Sequence, residues 1–144
     1  MKLYRLMRWL YLKKVPIFPN IIRKLIRITH AWEVFPSSII GKNVCFVHGG
    51  LGCVIHERAI IEDNVKIYQN VTLGGNGKEN QPAPGVPHIS GGAIIYAGAC
   101  ILGSVKIGKN AVVGANAVVL TDVPDNCVAI GVPATVRPKS KDIL

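Results

Sequence analysis

The first thirty residues of this 144-residue chain contain no aspartate or glutamate, and only 6 % of all residues are aromatic. No stretch approaches the roughly 18 consecutive apolar residues that a membrane-spanning helix needs. The N-terminal apolar stretches are interrupted by Arg5, Arg8, Lys13 and Lys14, and no small-residue cleavage site follows, which argues against a signal peptide. The four cysteines, Cys45, Cys53, Cys100 and Cys127, show no Cys-x-x-Cys pair and no zinc-ligand spacing. They read as reduced small hydrophobes in or near the core of a cytosolic protein. Few aromatics within a 49 % apolar composition leave Val, Ile and Ala as the core material, and 15 glycines accompany them. That mixture favours a repetitive β architecture over a helical bundle. The length allows one domain with a real core.

What charge there is sits unevenly. Lys2, Arg5, Arg8, Lys13, Lys14, Arg23, Lys24 and Arg27 make the first thirty residues strongly basic, whereas the remainder is close to neutral. No nucleic-acid motif follows, so the basic head is not read as a nucleic-acid arm. Leu3, Leu6, Met7 and Leu10 share one face of a first helix. Pro16 and Pro19 separate it from a second, for which Asn20 is a candidate N-cap and Ile21, Ile22, Leu25, Ile26 and Ile28 supply the apolar residues. Such a segment can meet an anionic membrane surface, or it can cover the open end of the domain that follows.

From about residue 34 the period is six. Ile89, Ile95, Ile101, Ile107, Val113 and Val119 are six apart, and Ala93, Ala99, Val105, Ala111, Ala117 and Val123 each follow four positions later. An earlier run has Ile55, Ile61, Ile67 and Leu73 with Ala59, Val65 and Val71, and a fragment appears at Val34, Ile40 and Phe46. A period of six fits neither a helix nor a flat strand; it fits a solenoid of three short strands and three turns per triangular coil. The aliphatic residue points to a narrow axial core. Gly41, Gly108 and Gly114, with Asn43, Asn64, Asn70, Asn110 and Asn116, suit tight or left-handed turns. The fold class is therefore an all-β solenoid, a left-handed parallel β-helix of hexapeptide repeats with a short α-helical N-terminal segment. The organisation is a basic helical segment at 1–31, the β-helix at 32–137 with an excursion loop at 74–88, and a tail at 138–144.

The register breaks twice: around His48-Gly49-Gly50-Leu51-Gly52, and in the Gly- and Pro-rich stretch from Gly74 to His88. Irregularities on a rigid scaffold are where function tends to sit. The stretches Val47-His48-Gly49-Gly50-Leu51-Gly52-Cys53-Val54-Ile55 and Ile67-Tyr68-Gln69-Asn70-Val71-Thr72-Leu73-Gly74-Gly75 carry a specific signature. So do Ala97-Gly98-Ala99-Cys100-Ile101-Leu102-Gly103, Val113-Gly114-Ala115-Asn116-Ala117-Val118-Val119 and Gly131-Val132-Pro133-Ala134. Together they resemble the serine acetyltransferase group of hexapeptide-repeat acyltransferases over about residues 32–137.

The resemblance implies that His48 is a general base and that Glu33, fifteen positions earlier, orients it in place of the family's usual Asp. An alcohol attacks a thioester poorly, and an imidazole of pKa about 6.5 can take its proton as attack proceeds. A carboxylate on the other ring nitrogen fixes the tautomer, and a backbone N–H of the Gly-rich loops would serve the developing oxyanion. The resemblance further places the pantetheine arm of acetyl-CoA near Ala97, Ala115 and Thr121, with Arg137 and Lys139 near its phosphates, and implies a homotrimer with sites between neighbours. No metal is expected. Where relatives carry Arg-His before the Pro that is Pro87, this chain has Gly85 and Val86, and Val47 replaces their Asp before the catalytic His. Val47, Val86 and His88, at the loop exit, are the acceptor-pocket candidates.

Loss of groups suited to a free amino acid turns the expected acceptor toward a saccharide of a surface-polysaccharide pathway, with a cytoplasmic enzyme that is peripheral at the inner membrane face if the basic head meets lipid. Serine O-acetylation for cysteine biosynthesis is the alternative. A metal enzyme like the γ-type carbonic anhydrases would need three meeting histidines, and His48 and His56 have no third at a repeat spacing. A non-catalytic solenoid would not need the His48–Glu33 pair or the long loop.

Overall fold

The computed structural model describes residues 1–77 and 85–140; the middle of the expected excursion loop, 78–84, and the end of the expected tail, 141–144, lie outside the described residues. Two helices, α1 (Lys2–Leu12) and α2 (Phe18–His30), precede short strands that visit three sheets in rotation. The first sheet contains β1 (Glu33–Val34), β4 (Val54–Ile55), β7 (Thr72–Gly74), β10 (Cys100–Leu102) and β13 (Val118–Val119). The second contains β2 (Ile39–Ile40), β5 (Ile60–Ile61), β8 (His88–Ile89) and β11 (Lys106–Ile107). The third contains β3 (Cys45–Phe46), β6 (Lys66–Ile67), β9 (Ile94–Ile95), β12 (Val112–Val113), β14 (Cys127–Ile130) and β15 (Thr135–Pro138). All pairs are parallel except β14 with β15, which closes the third sheet antiparallel.

The hexads explain this three-sided coil. Ile89 lies beside Ile107, Ile95 beside Val113 and Ile101 beside Val119, so three hexads complete one turn and each aliphatic residue stacks on its equivalent. These residues are fully or almost fully buried, as are the small residues four positions later. Asn43, Asn64, Asn70, Asn110 and Asn116 occupy the turns with φ between 54° and 62°, a region Asn tolerates better than other side chains. Gly108 serves a different purpose from the left-handed bend expected: its φ is not positive, and a Cβ there would run into the backbone of Pro124 and Asp125. Neither register break disturbs the strand pairing across it, since Ile40 still pairs with Ile61, and Ile61 with Ile89.

The helices differ from the sequence reading in two respects. Helix α2 starts at Phe18, after Ile17 at φ 68°, and not at Asn20. Pro19 sits in its first turn, where a missing N–H costs nothing. In α1 the expected face divides: Met7 is buried, but Leu3 and Leu6 are exposed, and Tyr4 goes inside instead. The reason is polar. The Tyr4 hydroxyl donates to the Ser38 carbonyl at 2.7 Å. Arg8 donates to the carbonyls of Pro36, Ser37 and Ser38, and Arg5 to those of Ile40 and Gly41. Burial pushes the Tyr4 phenol pKa up, which keeps it a donor. The inner faces of both helices therefore cover the first coil, where Tyr4, Met7, Ile26 and Trp32 join the core.

Candidate active site

The first break is a short turn, Val47–Gly50, between β3 and β4. His48 (φ 55°) and Gly49 (φ 70°) are both left-handed there, a conformation that costs a non-glycine residue roughly 1–2 kcal/mol. The turn aims His48 outward, and its side chain is exposed. Gly50 (φ +81°) must be glycine, because a Cβ would lie 3.0 Å from the Trp32 ring. Trp32 in turn stacks at a tilt on Phe46, centroids 4.6 Å apart. Its indole N–H is buried with no hydrogen-bond acceptor.

The turn belongs to one edge of the coil, the edge between the third and first sheets. Along it the N–H of Asn70 donates to Leu51 O (2.8 Å), that of Gly98 to Gln69 O (3.0 Å) and that of Asn116 to Ala97 O (2.9 Å). His48, Ala97 and Ala115 are therefore brought to one edge by the fold. Ala115 is exposed and Ala97 half-buried, so the backbone is open to a close-approaching chain. Tyr68 and Tyr96 stack between them, centroids 4.9 Å apart. Arg137, on β15, is paired with Val128 across the third sheet, and the Lys139 N–H donates to Asn126 O in the turn that enters β14, so Lys139 lies on the edge between the second and third sheets, one strand away from His48, Ala97 and Ala115.

The remaining expected site residues lie elsewhere. Thr121 follows β13 on the edge between the first and second sheets, not beside Ala97 and Ala115, because one more strand separates them. Val47 precedes His48 in the turn and is half-buried. Val86 is only 7 % exposed and contributes little more than part of a cleft wall. His88 is in β8, where its Nε2 meets Glu62 Oε1 at 2.8 Å. A cleft of about 320 Å³ beside it is lined by Arg58, Val86, His88, Ser104, Lys106 and Asp122. His56 is half-buried. It lines a second cleft of about 400 Å³ with Arg58, Gly75, Asn76 and Gly85, and accepts from the Arg58 N–H on Nδ1, which leaves the proton on Nε2.

Glu33 is not joined to His48 by a hydrogen bond among the described residues. Its carboxylate is held by helix α2, with Arg27 at 3.1 Å and Arg23 at 3.6 Å. Sequence reading missed both these pairs and the Glu62–His88 pair. His88 and the Gly91 N–H hold the Glu62 carboxyl below its usual range. That stabilisation is present above the ordinary pKa of 4.5 and is lost as pH falls through the lowered folded value. Glu62→Gln is thus expected to cost less than about 1 kcal/mol near pH 6, since the pair is exposed, and nothing once pH is well below 4.5. Melting curves of both proteins across that range check it; a constant difference would contradict it. Among the described residues no group of three His, Cys, Asp or Glu is placed to hold a metal ion, and burial pushes the Cys53 thiol pKa up.

A serine acetyltransferase of Synechococcus elongatus is 39 % identical over 137 residues, 95 % of this chain and 55 % of that protein. Coordinates of the serine acetyltransferase of Brucella abortus in complex with coenzyme A superimpose with a TM-score of 0.89 at 33 % identity, covering 96 % of this chain and 54 % of that one. The soybean serine acetyltransferase complexed with serine gives 0.86 at 38 %, covering 94 % and 54 %. The chain belongs to the hexapeptide-repeat acyltransferases, in their serine acetyltransferase-like group. No family model matches it. This serine acetyltransferase-like chain spans about half the length of the relatives it matches. The family signature falls on the His48 edge of the coil, where the turn, the tyrosine stack and the two alanines lie.

Proposed function

We propose that this chain is an acetyl-CoA-dependent O-acetyltransferase whose acceptor is serine. The observation that carries the reading is the shared edge: His48 stands at one end of a row of turns whose exposed or half-exposed members, Ala97 and Ala115, have side chains small enough to admit a pantetheine arm. Acetyl-CoA supplies the acyl group as a thioester and leaves as the thiol. His48 takes the proton of the acceptor hydroxyl as the new ester bond forms. Arg137, on the last strand of the third sheet, offsets phosphate charge beyond the C-terminal coil, and Lys139 adds to it from the neighbouring edge. Glu33 holds helix α2 against the coil through Arg23 and Arg27, and its proposed part in the reaction is to orient the imidazole. The coil is left-handed, begins at 31/32, and runs past the expected 137/138 boundary, since β15 extends to Pro138 and the Lys139 N–H still donates to Asn126 O.

The relatives reported above are serine acetyltransferases, one of them described with bound serine, and they support serine over the expected saccharide acceptor. One observation still favours a second reading. Gly85 and Val86 supply no charged group at the loop base, and Val86 is buried. The residues meant for one site are also split between two edges of the coil, His48 on one and the loop base on the next. The first sheet lies between those edges, and its outward row from Val54 through Thr72 and Cys100 to Val118 is uncharged. Packing on that row as a trimer brings the loop edge of one chain to the His48 edge of its neighbour. Following CoA release with serine and with nucleotide sugars decides the acceptor. Serine is expected to support turnover; turnover with a sugar alone would replace it by the second reading.

A further inference from the structure

The two N-terminal helices bury one face against the coil and leave the other uncovered. On α2 the exposed residues Phe18, Ile21, Leu25 and Ile28 recur at helical spacing, with Ile28 82 % exposed. On α1, Leu3, Leu6, Trp9 and Leu12 are also exposed, spread over one half of the helix surface. An unpartnered apolar surface of this extent marks an interaction site.

The cations of the segment divide by residue type. The arginines reach inward: Arg5 and Arg8 clamp the carbonyls of the first coil, and Arg23 and Arg27 hold Glu33. Lys2, Lys13, Lys14 and Lys24 are exposed, and none has a side-chain hydrogen bond or ion pair among the described residues. Helical spacing sets Lys24 next to both Ile21 and Ile28, Lys2 next to Leu6, and Lys13 one turn from Trp9. Free lysines thus border the uncovered apolar stripes, and no acidic residue occurs before Glu33.

We propose that this face docks on an anionic lipid surface. Apolar side chains bordered by lysine suit the boundary between headgroups and acyl chains. A second copy of the same face would bring two strongly positive segments together, which disfavours self-association through it. No helix among the described residues is long and apolar enough to cross a membrane, so the contact is parallel to the surface. The proposal is independent of the acetyl-transfer reading.

The test uses the full chain with vesicles of phosphatidylcholine alone or mixed equally with phosphatidylglycerol. Trp9 is 55 % exposed and Trp32, the other tryptophan, is 3 % exposed, so a blue shift on adding vesicles reports Trp9. Binding is expected on the mixed vesicles at low salt, and weakly or not at all on the neutral ones. Replacing Lys13, Lys14 and Lys24 with Gln is expected to weaken it on the order of 10²-fold. Ile21→Ser with Ile28→Ser should abolish it while leaving the circular dichroism and oligomeric state unchanged, since both residues are exposed. No binding of the unaltered chain to the mixed vesicles at low salt would overturn the proposal. So would the serine variant breaking an oligomer apart, which would make the stripe a contact between copies.

Discussion

His48→Ala is expected to lower kcat by roughly 10²–10⁴-fold, the usual worth of a positioned general base, with little change in the KM for acetyl-CoA. The residue is exposed on a left-handed turn that costs folding energy, and strain of this kind persists where the surroundings over-determine it. Here Gly50 wedged on Trp32 does so. Removing the imidazole relieves none of the contacts along the Ala97 and Ala115 edge, so binding there should survive. Glu33→Gln is expected to cost less in rate and to loosen α2 as well, because Arg23 and Arg27 lose their partner. The alternative chemistry is an acyl-cysteine route. Cys53 is buried with its thiol pKa raised, and Cys45, Cys100 and Cys127 lie in strands, so single cysteine replacements should leave turnover standing. Near-normal kcat for His48→Ala with the accepted substrate would sink the mechanism, as would a cysteine acylated by acetyl-CoA alone that transfers at a competent rate.

The coil was legible because a six-residue period has one physical solution, and the aliphatic and small positions identified from it are the buried ones. His48 was legible for the opposite reason: it stands where the period fails. The assignment of residues to edges was less so. Counting strands places Ala97 and Ala115 with His48 and moves Thr121 one edge on, but acting on that count requires knowing where the breaks are absorbed. Three features needed the folded chain. Tyr4 displaced Leu3 and Leu6 from the interior because its hydroxyl had a carbonyl to reach. Glu33 met Arg27 because α2 lies across β1, a packing that no local pattern encodes. Glu62 and His88 became neighbours only because β8 pairs in register with β5 despite the second break.

Ile95→Ala is expected to destabilise the chain by about 2–5 kcal/mol, the range for truncating a fully buried isoleucine. Ile95 is 0 % exposed and pairs with Ile67 on one side and Val113 on the other. In a coil this narrow the deleted atoms leave a void between two stacked layers that the rigid strand register cannot close. Each layer contacts only its neighbours, so the loss weakens two layer interfaces at once. Against a total stability of about 5–15 kcal/mol this is a large share, and it corresponds to a fall in Tm of roughly 6–15 °C. Ile94 is the control. It is the adjacent residue on the same strand and points to the opposite side, half-buried. Ile94→Ala should cost less than about 1 kcal/mol, as partly exposed positions do. Thermal melts of the two variants beside the unaltered chain measure the contrast. Equal losses would mean that the outward row of the third sheet is as well packed as the axis, and the one-sided core that the six-residue period implies would have to be abandoned.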